Sequence, residues 1–292
     1  MGVTPRDGTR ITPRPDVPYV VTPSPPAHLS GWQLPPDWHW GSEGRLMEHR
    51  HFQEIIDALG RSLSLVSAPN PALVPWLAAE ARALAQLNHP AIPTTYHYWA
   101  PYRGTQRGPG YLRRWLAAES VGDFVRRSGP ADIPLVFRVL RAVGSTLAYL
   151  HDSGTTHGAV SPENVWIAPA GRTWMLGWQW AIARTDIPAG LEPNARWTPR
   201  APEWGVGAHA GSWQPTPASD QWQLAAMCFA ALTGELPPPE FVPPVRVVRT
   251  DCPDALAIVI DTALREDATQ RYRSVSLLLR ALEHTVAVRS IR

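Results

Sequence analysis

Lysine is the first residue to look for in a chain that could handle phosphates or carbonyls, and this 292-residue sequence has none: all 27 basic side chains are Arg. A Schiff base, a Walker-type phosphate lysine and any other step that needs an ε-ammonium are therefore excluded. Cys228 and Cys252 are the two cysteines. They stand in apolar or Pro-flanked contexts without metal-ligand spacing, so no metal is expected, and a reducing compartment is. The chemistry left to the chain belongs to His, carboxylate, amide and Arg groups. The stretch that gathers them is Ala148-Tyr-Leu-His-Asp-Ser-Gly-Thr-Thr-His-Gly-Ala-Val-Ser-Pro-Glu-Asn-Val-Trp-Ile167.

The elements that must position such groups fall into three textures. Residues 1–36 hold nine prolines and little apolar periodicity, which predicts a flexible arm that cannot offset its ordering entropy by burial. That arm is either a tether or a docking and phosphorylation segment, since its Thr and Ser lie beside Arg and Pro. From Trp38 the texture turns to β-type runs. Phe52–Ala58 and Ser62–Ser67 read as a hairpin, Pro75–Asn88 as a helix, and Thr94–Trp99 and Gly110–Leu116 as two further strands. The remainder is helical. Val136, Val139, Leu140, Val143, Leu147 and Leu150 form one stripe of a helix that can start at an Asp132 cap. Asp220–Leu232 reads as a buried central helix, and Pro253–Leu264 and Ser274–Leu282 as two more.

Composition narrows the function classes. Charged residues are 18% of the chain and the net charge is +2, and no Arg run exceeds two residues, so a dense basic face for nucleic acid is not expected. No signal-peptide pattern is seen. The longest apolar runs, such as Leu224–Leu232, are too short to span a bilayer. A cytoplasmic protein with no membrane partner is the expectation.

The ordered motifs resemble one family, the eukaryotic-type (Hanks-type) protein kinases of bacteria, from about Trp38 to His284. The stretch ending at Ile167 tracks the family's catalytic loop, His-Arg-Asp-Leu-Lys-Pro-Glu-Asn-Val. Ala201-Pro202-Glu203, Asp220-Gln-Trp-Gln-Leu, Leu232-Thr-Gly-Glu-Leu-Pro237 and Arg265-Glu-Asp-Ala-Thr-Gln-Arg-Tyr272 follow in the family's order. The resemblance implies an α+β, two-lobed protein-kinase-like fold. Its small β-rich N-lobe with one helix would cover residues 37–116, and its larger, mainly helical C-lobe residues 117–292.

Residue by residue, the resemblance also implies lost chemistry. Val66 falls on the strand lysine, Ala159 on the catalytic Asp and Gly177 on the magnesium Asp. A methyl group cannot accept a proton, and a positioned base is worth about 10²–10⁴ in rate. Glu80 matches the lysine's partner and is either solvated or paired with an Arg. Asn164 matches the second magnesium ligand, or else shapes the loop by hydrogen bonding. Gly41-Ser42-Glu43-Gly44 lacks a third glycine, and Glu43 would repel phosphate. Leu112–Leu116 places bulky and charged groups where adenine normally slides. The pattern Gly-Thr-Pro-x-Tyr is missing between Gly177 and Glu203, and the substrate-docking helix after Pro237 is short or absent.

Architectural marks are retained. Glu203 and Arg271 match a buried ion pair, Asp220 a helix carboxylate that accepts loop amides, and Leu84, His157 and Trp178 three places of the hydrophobic spine. Of the 14 Trp, Trp174 and Trp222 would fill core volume, and Trp32, Trp38, Trp40, Trp204 and Trp213 either pack or form an exposed patch. The expectation is a catalytically inactive pseudokinase without a cofactor, working as a scaffold or allosteric partner of an active kinase or a phosphopeptide-reading protein. The alternative is a nucleotide sensor or atypical kinase in which Arg45, Arg61 or Arg113 replaces the lysine.

Overall fold

The computed structural model describes residues 29, 32–47, 50–68, 70–99, 109–181, 198–204, 215–238 and 241–289. Most of the proline-rich arm, Trp197 and Trp213 lie outside the described residues. Five antiparallel strands form the first sheet: β1 (His39–Met47), β2 (Arg50–Ile56), β3 (Ser62–Ser67), β4 (Thr95–Trp99) and β5 (Gly110–Arg114), in the order β1-β2-β3-β5-β4. Side chains alternate across a strand, so β3 divides its residues between two faces. Leu63 and Leu65 join Leu29, Trp32, Trp40, Ile55 and Leu112 in a compact outer core. Ser64 and Val66 face the other way, with Glu54 and Arg113 opposite Ser64 and Phe52 and Tyr111 opposite Val66. Trp32 also meets the edge of Trp99 at 5.6 Å. Leu29 and Trp32 thus pack into the sheet although they precede the expected boundary at residue 37, and Trp32, Trp40 and Trp204 are buried rather than part of an exposed patch.

Helix α1 (Val74–Leu84) packs beneath this sheet with Trp76, Leu77, Glu80, Ala81 and Leu84 buried. It stops short of the Pro75–Asn88 expectation. Gln86 and Leu87 donate to Ala83 and Leu84, tightening the last turn to i−3 bonds, and the residue before Pro90 is biased away from helical geometry.

The second lobe is built on α2 (Val121–Ser128), α3 (Ile133–Asp152), α4 (Pro217–Thr233), α5 (Val245–Val248), α6 (Asp254–Ala263) and α7 (Val275–Arg289), with a small sheet of β6 (Glu119–Ser120), β7 (Val165–Ile167) and β8 (Thr173–Met175). These last strands are too short to leave a pattern in sequence. The Asp132 carboxylate accepts from the Leu135 amide at 2.7 Å and caps α3. A reciprocal Thr216–Ser219 capping box starts α4, and Gly234 ends it at φ 97°, a left-handed residue where glycine has no Cβ penalty. Every residue of α4 from Ser219 to Leu232 is buried. By length and average composition α3 is apolar enough to cross a membrane. Its apolar stripe is spent on the core, against α4 and α7, while Arg138 and Arg141 stand on its exposed side.

One guanidinium ties the base of this lobe together. Arg271 donates to both carboxylate oxygens of Glu203 (2.9 and 2.7 Å) and to the carbonyls of Ala218, Arg265 and Glu266 at 2.8–3.0 Å. The Arg271 side chain is fully covered, whereas Glu203 keeps 26% of its side chain exposed. The pair is therefore half buried, because the carboxylate sits at the lip of the lobe. Removing the guanidinium strands one carboxylate and three carbonyls, so Arg271→Met is expected to lower unfolding free energy by about 3–5 kcal/mol. Glu203→Gln, which retains an acceptor, costs less; urea unfolding with equal midpoints for Arg271→Met and wild type would remove the anchor.

Candidate functional site

The cleft between the lobes begins at Glu80 on α1. Its carboxylate accepts from the Arg50 Nε at 2.9 Å, and the two side chains are only 5% and 1% exposed. The Arg50 guanidinium also lies over the Trp76 ring, 4.3 Å from its centroid. The Tyr111 hydroxyl donates to Glu80 as well, and burial together with that carboxylate pushes its phenol well above the usual range. Glu80 is thus paired with an Arg and is not solvated. The partner comes from β2 and was not among the three Arg singled out from sequence. Two signals could have found it: period-2 alternation puts Arg50 on the same strand face as Phe52, and i,i+4 spacing puts Trp76 beside Glu80.

Val66 is fully buried on the inner face of β3, in the same apolar cluster as Leu77, Leu84 and Tyr111. Ala159 is also fully buried. It packs in a cluster with Leu73, Trp76 and Trp180, and Trp76 and Trp180 meet edge to face at 4.9 Å. Gly177 has φ +83°, and a Cβ there would lie 2.6 Å from the Asn164 Nδ2. Asn164 instead donates that amide to the Ala159 carbonyl at 2.9 Å, and its own carbonyl accepts from Leu176 at 2.7 Å. In these contacts Asn164 shapes the loop. No group of three or more His, Cys, Asp or Glu able to hold a metal ion occurs among the described residues.

Below this layer Asp220 accepts from the His157 and Gly158 amides at 2.8 and 2.6 Å and faces His151 Nε2 at 2.9 Å. His157 is buried, with Nε2 donating to the Leu176 carbonyl at 2.9 Å and Nδ1 accepting from the Ala159 amide at 3.3 Å. Both ring nitrogens are satisfied by the neutral form. Desolvation pushes its pKa down to about 4, although the Asp220 charge pulls the other way. Trp178 meets the His157 ring edge-on at 5.0 Å and donates to Met175 at 2.6 Å. Leu84 and Trp178 lie in one core cluster.

Toward the mouth the cleft opens into a cavity of about 340 Å³. Arg45, Phe52, Ser64, Arg113, Leu116 and Trp166 are among its walls, and the Arg45 guanidinium lies over the Trp166 ring at 5.3 Å. Trp115 lines this space without filling it, and Trp178 lies elsewhere, against His157. Arg61 does not reach the cleft: it closes the β2–β3 turn on Asp57 at 2.7 Å and is 57% exposed. At β1 the glycines make room for the protein's own side chains. A Cβ on Gly41 would strike Glu54, and one on Gly44 would strike Gln53, both at 2.6 Å.

The fold and these positions define a protein-kinase architecture. No model of a known protein family matches the sequence. Among characterised proteins the chain is 26% identical over 247 residues to the serine/threonine-protein kinase PknA of Mycobacterium tuberculosis, taking in 76% of this chain and 55% of that protein. It is 25% identical over 235 residues to PknE of the same organism, with 75% and 40% covered. The chain therefore spans about half the length of PknA. Among solved structures, PpkA-294 in its apo form superposes with a TM-score of 0.65 at 15% identity, covering 89% of this chain and 99% of that one. Rad53 1-466 in complex with AMP-PNP superposes with 0.61 at 17% identity, covering 85% and 65%. The chain has the protein-kinase fold and is similar in sequence to mycobacterial serine/threonine protein kinases.

Two measurements follow from the geometry. Arg50→Met leaves the Glu80 charge buried and is expected to cost about 3–5 kcal/mol, while the Arg50→Met/Glu80→Leu double variant regains most of it. Additive losses in urea unfolding would show that the pair does not act as a unit. An unfolded His titrates near pH 6.5, so between there and about 4 the unfolded chain holds more protons than the folded one. Stability is full above that window and falls as pH drops through it; His157→Gln should flatten the slope, and an unchanged slope would assign it to other groups.

Proposed function

We propose that this chain is a catalytically silent kinase fold that acts by binding, as a scaffold or allosteric partner of a protein such as an active kinase or a phosphopeptide-reading protein. The observation that carries the reading is the filling of the catalytic positions. Phosphoryl transfer relies on positioning and charge neutralisation by a lysine, a base and a magnesium carboxylate. Here Ala159 is sealed under Trp76 and Trp180, Glu80 is committed to Arg50, and the Asn164 amide occupies the space a side chain at 177 would need. Apolar side chains on the helical lobe, among them Val247 on α5 and Ile258 on α6, are 69% and 58% exposed and give a protein partner surface to cover.

A nucleotide-sensing reading has one observation in its favour, the cavity lined by Arg45 and Arg113. Against it, Arg50, Trp76 and Trp180 are buried and pack on Glu80 and Ala159, at the positions where phosphates would be handled. The purified chain with labelled ATP and magnesium is expected to transfer no phosphate to itself or to generic protein substrates. Installing Ala159→Asp and Gly177→Asp together should not restore transfer, because position 177 has a left-handed φ and abuts Asn164. Transfer by the unmodified chain near the 1–100 per second typical of kinases, roughly, would end the proposal; a thermal shift with millimolar ATP would favour the sensor.

A further inference from the structure

We infer that the cavity at the cleft mouth binds a small organic acid with a flat apolar body, its carboxylate taken by Arg113 and Ser64. The two residues are cross-strand partners on β5 and β3 and are 5% and 1% exposed. Arg113 Nε and Ser64 Oγ are both buried, and neither has a hydrogen-bond partner among the described residues. Arg113 Nε can only donate, and the Ser64 hydroxyl can donate or accept, so one acceptor placed between them would satisfy both of these costly vacancies. Glu80 is engaged by Arg50 and Tyr111 and reaches neither group, and the buried Glu54 opposite Ser64 accepts instead from Ser62 at 2.8 Å. Burial lowers the Arg113 pKa, with Tyr111 and Glu80 opposing, yet a guanidinium shifted down from so high a value stays charged at neutral pH. A carboxylate offers two oxygens in the plane that a guanidinium fork recognises.

The walls fix the rest of the ligand. The Arg113 guanidinium lies over the Phe52 ring at 5.0 Å, and Leu116, Trp166 and Ile167 line the faces. The volume of about 340 Å³ is at the small end of ligand pockets, enough for one or two fused rings. At the mouth Arg45 adds positive charge, and Glu119 is held by Arg127 at 2.5 Å, so the opening does not repel an anion. Val66, next on this face of β3, is apolar and fully buried and offers a triphosphate no charge, whereas a short acid ends at Arg113. The site requires no protein partner and stands apart from the scaffold reading.

Isothermal titration calorimetry of the full chain at neutral pH tests this with 2-naphthoate, its neutral amide 2-naphthamide, inorganic phosphate and adenosine as probes. Naphthoate is expected to bind at least about tenfold more tightly than the amide, and phosphate, lacking an apolar body, to bind weakly or not at all. Arg113→Met should abolish the preference for the acid while folding about as stably as wild type, because it removes a desolvated charge whose Nε has no hydrogen-bond partner. Should that variant fail to fold, Ser64→Ala is expected to weaken naphthoate several-fold with the amide unaffected. Equal binding of acid and amide, no binding of either, phosphate matching naphthoate, adenosine exceeding it, or undiminished naphthoate binding by Arg113→Met (or by Ser64→Ala where that variant stands in) would each overturn the inference.

Discussion

The ion pair between Arg50 and Glu80 sets the arrangement of everything around the cleft. It joins β2 to α1 through two side chains that are almost fully desolvated. In water such a pair is worth little, but a buried carboxylate without its cation is very costly, so α1 is confined to the position where Glu80 meets Arg50. The guanidinium does a second job that an ammonium would do less well: it spreads over the Trp76 ring at 4.3 Å. Trp76 is thereby held against Trp180, and the two indoles cover Ala159. Val66 can then be apolar, because the charge that would otherwise have to come from β3 arrives from β2.

The cleft consequently has two halves of different character. The inner half is packed: aromatic side chains stand over the alanine of the loop, and Asn164 closes on Gly177 while tying the loop carbonyl of Ala159. Beneath it Asp220 organises the His157 and Gly158 amides, and neutral His157 props Trp178. The outer half keeps an open space whose deep wall carries two buried donors without acceptors. Packing is closed where chemistry would be needed, and an open space with two buried donors in its wall remains where a ligand could enter. This asymmetry joins the silent-kinase reading to the ligand reading without making either depend on the other.

Much of the architecture was legible in the residues. The alternation in Ser62–Ser67 and the helical stripe from Val136 to Leu150 specify their faces directly, and the Asp132 cap marks where α3 begins. The ordered loop and helix motifs then point to a single two-lobed fold. Less legible was what replaces a missing group. Arg50 lies 30 residues from Glu80 and on a different element, so alternation and helical spacing only suggest the pair, and the register of β2 against β3 fixes it. The early packing of Leu29 and Trp32 was hidden by surrounding prolines, whose local stiffness says nothing about where an indole will find a pocket. The partial exposure of Glu203 likewise depends on the shape of the lobe's edge rather than on residue type.

The central claim is that α1 is fixed in place by side chains of this chain, with no contribution from nucleotide or metal. Hydrogen exchange of the α1 amides, followed with and without magnesium and ATP, addresses it directly. The account predicts protection throughout the buried turns from Leu77 to Leu84 in the protein alone, unchanged when nucleotide is added. Fast exchange of α1 in the protein alone, with protection gained only on adding magnesium and ATP, would contradict it.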